Sequence, residues 1–142
     1  RMLDINLRAP MAAAARLIPR LLKQGSGALA FVSSVAGFRG LPKAAAYGPT
    51  KAALIMLCQQ LAQEWGPDGI RVNAVCPGMI RTPMTEPIYA DPAIAARRDA
   101  IVPLKRVGRP DDIAPAVLYL ASEESAWVTG QVLPVNGGYT TA

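Results

Sequence analysis

A tyrosine and a lysine stand four residues apart, Tyr47 and Lys51, at the start of a stretch rich in alanine and leucine. On a helix, side chains with this spacing lie on one face, about 5–6 Å from each other. Pro49 is tolerated only in the first turn, so the helix must begin near Tyr47. A phenol becomes a usable acid near neutrality when a cation about 4 Å away stabilises the phenolate. The pair therefore predicts acid–base chemistry, with a surface Tyr/Lys pair as the alternative.

Two further polar residues are candidates for the same chemistry. Ser34 follows a short apolar run that we expect to be a buried strand, and open α/β sheets bind ligands at the carboxyl ends of their strands. Asn6 precedes Pro10 by four residues, and proline has no N–H to donate to the Asn6 carbonyl. A kinked helix there would leave a carbonyl free to hold a water beside Lys51, giving a proton path. A turn serine and a plain kink are the alternatives.

The elements that position these residues follow from the hydrophobic pattern. Apolar residues recur at steps of three and four in three stretches, which indicates helices. Three short apolar runs, one after each predicted helix, indicate strands. The first of them is expected to be buried on both faces, as in a parallel sheet. This alternation is typical of a doubly wound α/β sheet, of which the chain contains only a part. The predicted helices cover residues 3–24, 47–65 and 113–120, and the predicted strands 28–32, 70–76 and 131–135.

Prolines and aspartates indicate where several elements end. Asp111 or Asp112 can cap the third helix, and Pro115 should lie in its first turn. Pro134 cannot donate to a ladder hydrogen bond, which places the last strand at a sheet edge. The proline-rich segment of residues 82–109, called the lid below, is expected to be irregular with one short helix near residues 93–100. Connections of this length are usually functional.

Composition excludes several classes of protein. The chain has no histidine and two cysteines, Cys58 and Cys76, so we expect no metal site and two buried thiols in a reducing compartment, the cytoplasm. Its apolar runs are far shorter than the roughly 18 residues that span a bilayer, so no membrane association is expected. The net charge is +5, but the basic residues are scattered and rarely lie beside aromatic ones, which argues against a nucleic-acid partner. Only 18% of residues are charged, which favours a partly covered surface.

Four segments, in this order, resemble the short-chain dehydrogenase/reductase family: SSVAG, YGPTKAA, RVNAVCPGMIRTPM and VTGQVLPVNGG. The resemblance also includes Asn6, Ser34, Tyr47 and Lys51 and covers nearly the whole chain. It implies a Rossmann fold and NAD or NADP as the cofactor. The implied reaction is hydride transfer that interconverts a carbonyl and a secondary alcohol in a small-molecule substrate.

The resemblance also implies roles for individual residues. Tyr47 would exchange a proton with the substrate oxygen, and Ser34 would orient that oxygen. Lys51 would make the phenol more acidic and bind the nicotinamide ribose, while Asn6 would sustain a water relay. The implied cofactor-binding residues are Tyr47, Lys51, Pro77, Gly78, Ile80 and Thr82.

The resemblance is to the carboxyl-terminal part of the family's single domain. No glycine-rich phosphate turn follows any strand of the chain. Residues 1–142 are therefore expected to form a partial Rossmann sheet, the family's last three strands with one edge bare. One hypothesis is that the chain is part of an NAD(P)-dependent oxidoreductase. The other is that it is a non-catalytic, interface-forming fragment that cannot bind the dinucleotide alone.

The resemblance further implies a homodimer or homotetramer for the full-length protein, with the helices at residues 4–24 and 47–65 paired between copies and tetramers formed through the last strand. The lid and the loop of residues 35–43 are expected to line the substrate pocket. Their mixture of apolar and basic residues is compatible with steroids, sugars, polyols or acyl thioesters, so the sequence does not choose among these substrates.

Overall fold

The computed structural model describes residues 1–42 and 44–140 and shows a parallel sheet of three strands in the order β1-β2-β3. Leu29 lies opposite Val72, and Val75 lies opposite Leu133. The architecture confirms the predicted α/β class and the partial, doubly wound sheet. The strands are β1 (Gly27–Val32), β2 (Ile70–Pro77) and β3 (Val132–Val135), and the helices are α1 (Ala9–Gln24), α2 (Tyr47–Trp65), α3 (Glu86–Tyr89), α4 (Pro92–Ile101) and α5 (Pro110–Ala121).

Helices cover both faces of the sheet. Successive side chains of a strand point to opposite faces, so Val72 packs toward α1 and α2 while its neighbour Arg71 reaches the end of α5. Each fully buried aliphatic side chain contributes about 1.5–3 kcal/mol of hydrophobic stabilisation. The buried cluster under α1 and α2 consists of Ala14, Ile18, Cys58, Leu61, Ala62, Ile70, Val72 and Ala74. This packing fixes α2, and with it Tyr47 and Lys51, against the sheet.

Both cysteines are fully buried and free, as the sequence predicted. Cys58 belongs to the cluster under α2, and Cys76 lies on β2. Burial raises the pKa of the Cys58 thiol to about 12 and raises that of Cys76 as well. Both thiols are therefore neutral and unreactive near pH 7, because the thiolate is the nucleophilic form.

The helix predicted over residues 3–24 is not regular throughout. Residues Asp4–Arg8 form a π-helical turn, in which the Ala9 N–H bonds the Asp4 carbonyl, and the α-helix follows from Ala9. Pro10 has no N–H, so it cannot donate the ordinary helical hydrogen bond to the Asn6 carbonyl. The wider π-helical turn accommodates this missing bond. The predicted break at Asn6 is thus present as a π-helical turn.

The expectation that β1 is buried on both faces was wrong. Its residues are mostly half-buried, and Val32 is 49% exposed. Within the residues that the structure describes, β1 pairs only with β2, so it lies at an edge of the sheet. This is the bare edge predicted for a partial sheet. β3 forms the opposite edge, as Pro134 predicted.

The lid contains two helices rather than one. The short α3 begins at Glu86 with Pro87 in its first turn, where proline is tolerated, and α4 begins one residue after Asp91, whose carboxylate caps it. Backbone bonds between Gly108 and both Met79 and Arg81 close the base of the lid. Sequence reasoning missed α3 because a single turn is too short to show periodicity.

The start of α5 also differs from the prediction. The helix begins at Pro110 with Arg109 as its N-cap, so neither Asp111 nor Asp112 is the cap. Asp112 instead accepts a hydrogen bond from the Arg109 N–H at 2.7 Å, and its carboxylate pairs with Arg106. Because the helix starts earlier, Pro115 lies inside it rather than in its first turn.

Two polar residues of β2 fasten the connection between α5 and β3. Arg71 donates to the Leu120 and Ser122 carbonyls, at 3.1 and 2.9 Å. Asn73 is fully buried, donates to the Val128 carbonyl at 2.8 Å and accepts from the Gln131 N–H at 3.0 Å. These bonds set the position from which β3 enters the sheet, so the polar residues of the segment RVNAV have a structural role.

Replacing Asn73 by alanine is expected to destabilise the fold by about 2–4 kcal/mol, because the part-buried Val128 carbonyl and Gln131 N–H both lose their partner. Urea unfolding followed by far-UV circular dichroism measures this change. Gln60→Ala is the control: its amide bonds Glu64 on an exposed face, and surface changes of this kind stay within about 0.5 kcal/mol. Equal unfolding midpoints for the two variants would contradict the structural role of Asn73.

Candidate active site

A cavity of about 1290 Å³ opens at the carboxyl ends of β1 and β2. This is the edge at which open α/β sheets bind ligands. Ser34, Tyr47 and Lys51 all line the cavity. The cavity is also lined by the four residues at and after the end of β2 that the resemblance implies for the cofactor, Pro77, Gly78, Ile80 and Thr82. Asn6 is not among the lining residues.

Ser34 is held in a tight turn directly after β1. The Ser33 N–H continues the ladder by donating to the Val75 carbonyl at 2.8 Å. The Ser34 side chain then accepts a hydrogen bond from the Ala36 N–H at 3.1 Å and caps the short 3₁₀ turn Val35–Gly37. Since this bond uses the oxygen as an acceptor, the Ser34 hydroxyl hydrogen remains available to a substrate oxygen.

Two glycines allow the Ser34 turn to lie directly on α2. A Cβ at Gly37 would lie 2.7 Å from the Ile55 Cδ1 atom and 3.1 Å from the Ala52 backbone nitrogen. A Cβ at Gly48 would lie 3.0 Å from the Ala36 carbonyl oxygen. The segments SSVAG and YGPTKAA are therefore complementary surfaces that bring Ser34 close to the first turns of α2.

Ser33, the residue before Ser34, makes a second connection to α2. It is buried, and its hydroxyl donates to the Lys51 carbonyl at 2.8 Å. The bond ties the residue next to Ser34 to the backbone of Lys51. No sequence signal distinguishes this role from that of an ordinary turn serine, because the partner lies 18 residues away.

Lys51 is half-buried beside the tyrosine, as the spacing predicted. Its Nζ atom donates to the Val32 carbonyl at 3.0 Å and lies 5.8 Å from the centroid of the Tyr47 ring. Burial lowers the pKa of Lys51 from its ordinary value of 10.5. An ammonium has three N–H groups. The bond to Val32 uses one of them, so two remain for ligands in the cavity.

Asn6 reaches the site through Thr50 rather than through the cavity. Its side-chain amide donates to the Thr50 hydroxyl at 3.1 Å, and that hydroxyl donates to the Tyr47 carbonyl at 2.8 Å. Thr50 is 1% exposed. The π-helical turn is thus docked on the first turn of α2 by a buried bridge that sequence reasoning did not foresee. The water relay proposed for the Asn6 carbonyl stays a prediction.

The segment after β2 is fixed by close backbone packing. The Gly78 N–H donates to the Val135 carbonyl at 3.1 Å, and a Cβ at Gly78 would lie 2.6 Å from the Asn136 Cβ atom. The Thr82 hydroxyl lies 3.2 Å from the Thr85 hydroxyl, which in turn donates to the Ile80 carbonyl at 2.8 Å. These contacts orient the segment along the cavity wall.

Several lining residues were not predicted. Tyr139 lines the cavity near the end of the chain, and the Arg39 guanidinium lies 4.9 Å above its ring. One face of α5 contributes as well and was not predicted, whereas Arg97 and Arg98 enter from α4, within the lid that was expected to line the pocket. Of the loop of residues 35–43, Val35, Leu41 and Pro42 line the cavity, whereas Lys43 lies outside the described residues. A lone tyrosine after two glycines carries no signal by which the sequence could have identified it.

Two absences hold for the described part of the chain. No helix there is long and apolar enough to cross a membrane. No cluster of three or more histidine, cysteine or acidic side chains with the spacing of a metal site is found there either.

Comparison with known proteins finds many relatives of this chain. A family model described as enoyl-(acyl carrier protein) reductase matches residues 1–140. A 3-oxoacyl-(acyl-carrier-protein) reductase of Thermotoga maritima is 40% identical over 138 residues, which is 96% of this chain and 54% of that protein.

Many solved structures share the fold. A 4-hydroxyisoleucine dehydrogenase complexed with NADH superposes with a TM-score of 0.94 at 34% identity, covering 99% of this chain and 58% of that one. A gluconate 5-dehydrogenase of Burkholderia cenocepacia, in complex with NADP and tartrate, superposes with a TM-score of 0.92 at 31% identity. The match covers 96% of this chain and 54% of that one. The chain thus spans a little over half the length of these relatives, and it belongs to the short-chain dehydrogenase/reductase family.

Proposed function

We propose that the protein carrying this chain is an NAD(P)-dependent oxidoreductase that interconverts a carbonyl and a secondary alcohol, with Tyr47 as the general acid and base. One observation carries the proposal: Ser34, Tyr47 and Lys51 line a single cavity at the carboxyl edge of the sheet. Relatives with NADH or NADP bound support the choice of cofactor.

The residues present fit one end of a dinucleotide. The cavity is larger than the roughly 300–1,000 Å³ typical of small-ligand sites, and the half-buried Lys51 presents free N–H groups at its wall. Pro77, Gly78, Ile80 and Thr82 would contact the nicotinamide end, and Lys51 with Tyr47 the attached ribose. The bound dinucleotide supplies or accepts hydride at the carbonyl carbon. The phosphate-binding glycine turn is not among these 142 residues.

Each site residue has a part in the proton half of the reaction. In the reducing direction, the Tyr47 hydroxyl donates its proton to the substrate oxygen as hydride reaches the carbonyl carbon. The Ser34 hydroxyl hydrogen bonds that oxygen and orients it. The Lys51 ammonium stabilises the phenolate that forms, and Asn6, held through Thr50, maintains the helix turn beside Lys51. In the oxidising direction, the phenolate takes the proton back.

The missing phosphate turn and the bare edge of β1 favour a second statement about the isolated chain. Residues 1–142 alone would form an interface-forming fragment that does not bind the dinucleotide. The exposed apolar side chains of α1, α2 and the turn before α1 would pack against a second copy, giving a homodimer or homotetramer in the intact protein, in the cytoplasm. These side chains are Leu3, Ile5, Met11, Leu17 and Met56.

Calorimetric titration with NADH and NADPH tests both statements. The intact polypeptide that carries these residues is expected to bind one of the two dinucleotides and to oxidise it when a ketone is added. The isolated 142 residues are expected to bind neither. An intact polypeptide that binds no dinucleotide would refute the proposed function, and binding by the isolated chain would refute the second statement.

A further inference from the structure

The charged residues that line the cavity are all basic. Among the described lining residues these are Lys51, Arg97 and Arg98, and none is an aspartate or a glutamate. Lys51 lies beside Tyr47, whereas the two arginines come from α4 in the lid. The cavity wall formed by the lid is therefore positive, and no carboxylate among the described lining residues compensates that charge.

Arg98 is held in place by an aromatic ring rather than by an acid. Its Nη1 atom donates to the Tyr89 hydroxyl at 3.2 Å, and its guanidinium carbon lies 5.3 Å from the centroid of the Tyr89 ring. Tyr89 is 5% exposed and lines the same cavity. A guanidinium has five N–H donors. The contact with Tyr89 therefore orients Arg98 while it leaves most of these donors available.

The acids near α4 are engaged elsewhere. The four ion pairs found in residues 1–42 and 44–140 involve Asp4, Glu86 and Asp112, and Arg97 and Arg98 are in none of them. Asp91 and Asp99, the two acids that flank the arginines, accept hydrogen bonds from backbone N–H groups. Those donors are Ala93 and Ile94 for Asp91, and Val107 for Asp99.

We propose that Arg98, with Arg97 beside it, binds an anionic group of the substrate, a carboxylate or a phosphate. An oriented guanidinium can bind either group through two parallel N–H bonds, and such charge-assisted bonds are stronger than neutral ones. The site lies on α4, a different element from the segment of residues 77–82 assigned to the nicotinamide end, and Arg81 of that segment contacts the same Tyr89 ring as Arg98. The proposal rests on the proposed function in that it treats the lid side of the cavity as the substrate side.

Calorimetry on the intact polypeptide tests the proposal separately from the reaction. With NADH or NADPH saturating, so that the phosphates of the dinucleotide are already bound, succinate and inorganic phosphate are titrated against the neutral analogue succinamide. At least one anion is expected to bind, and succinamide is not. Arg98→Met should weaken anion binding by about 10- to 100-fold, Arg98→Lys should restore part of it, and Arg20→Met on the exposed face of α1 should leave it unchanged.

Turnover distinguishes the two anion chemistries. Acetoacetate is compared with its methyl ester, and dihydroxyacetone phosphate with dihydroxyacetone. For at least one pair, kcat/KM should favour the anion by about tenfold or more, and Arg98→Met should remove the preference through KM with kcat nearly unchanged. The proposal is wrong if the dinucleotide-loaded protein binds neither anion, or if Arg98→Met binds them as tightly as the parent. A loss of dinucleotide binding would instead count against the proposed function.

Discussion

Replacing Tyr47 by phenylalanine is expected to lower turnover of the intact polypeptide by about 10²- to 10⁴-fold, the usual contribution of a positioned general acid. The change removes only the hydroxyl and keeps the ring that lies 5.8 Å from the Lys51 Nζ atom. The dissociation constant for the dinucleotide should therefore change far less than turnover, because Lys51 keeps its contact with the ribose. Steady-state oxidation of NADH or NADPH by a ketone measures the first effect, and calorimetry measures the second.

Tyr119→Phe is the matched control for this variant, because Tyr119 lies on the outer side of α5 and does not line the cavity. It should retain the parent's turnover. A Tyr47→Phe protein with turnover within about threefold of the parent would show that another group delivers the proton.

Replacing Lys51 by methionine is expected to lower both turnover and dinucleotide affinity. Methionine keeps much of the apolar stem but removes the ammonium, which donates to the Val32 carbonyl and has two more N–H groups available in the cavity. Loss of a preorganised charged donor typically costs about 10²- to 10³-fold in kcat. Lys23→Met, on the exposed end of α1, is the control and should have neither effect.

The lysine also sets an expectation for pH dependence. Burial lowers the pKa of Lys51 below 10.5, so the ammonium is lost at a lower pH than on an exposed lysine. Turnover that needs the ammonium should fall as the pH rises through this lowered pKa and be retained below it. A pH–rate profile of the parent should show this alkaline fall, and the residual rate of Lys51→Met should lack it. An identical alkaline fall in both proteins would contradict a role for the ammonium.

The parts of the fold that follow local rules could be predicted from the sequence. Helix α2 has the predicted bounds, because Pro49 lies in its first turn, where proline is best tolerated, and Gly66 with Pro67 ends the helix. Pro134 correctly placed β3 at an edge. The spacing of Tyr47 and Lys51 correctly placed both side chains on one face, since helical periodicity alone determines it.

Features that depend on distant partners could not be predicted. The bridge from Asn6 through Thr50 to Tyr47 joins residues 44 apart in sequence, and the bonds of Arg71 to the end of α5 span about 50. The start of α5 was misplaced because Asp112 is the third residue of the helix and not its N-cap. From there its carboxylate accepts a hydrogen bond from the N–H of the N-cap residue, Arg109. The lid was expected to line the pocket, but the contact of Arg98 with Tyr89 and the place of Tyr139 in the cavity wall depend on tertiary packing, which no local pattern encodes.

The central claim is that the Tyr47 hydroxyl, beside the Lys51 ammonium, exchanges the proton with the substrate oxygen. A crystal structure of the intact polypeptide with dinucleotide and an unreactive substrate analogue measures this most directly. The account predicts that the Tyr47 and Ser34 hydroxyls both lie within about 3 Å of the analogue's oxygen, with the Lys51 Nζ atom on the ribose. A Tyr47 hydroxyl pointing away from that oxygen and from Lys51 would contradict it.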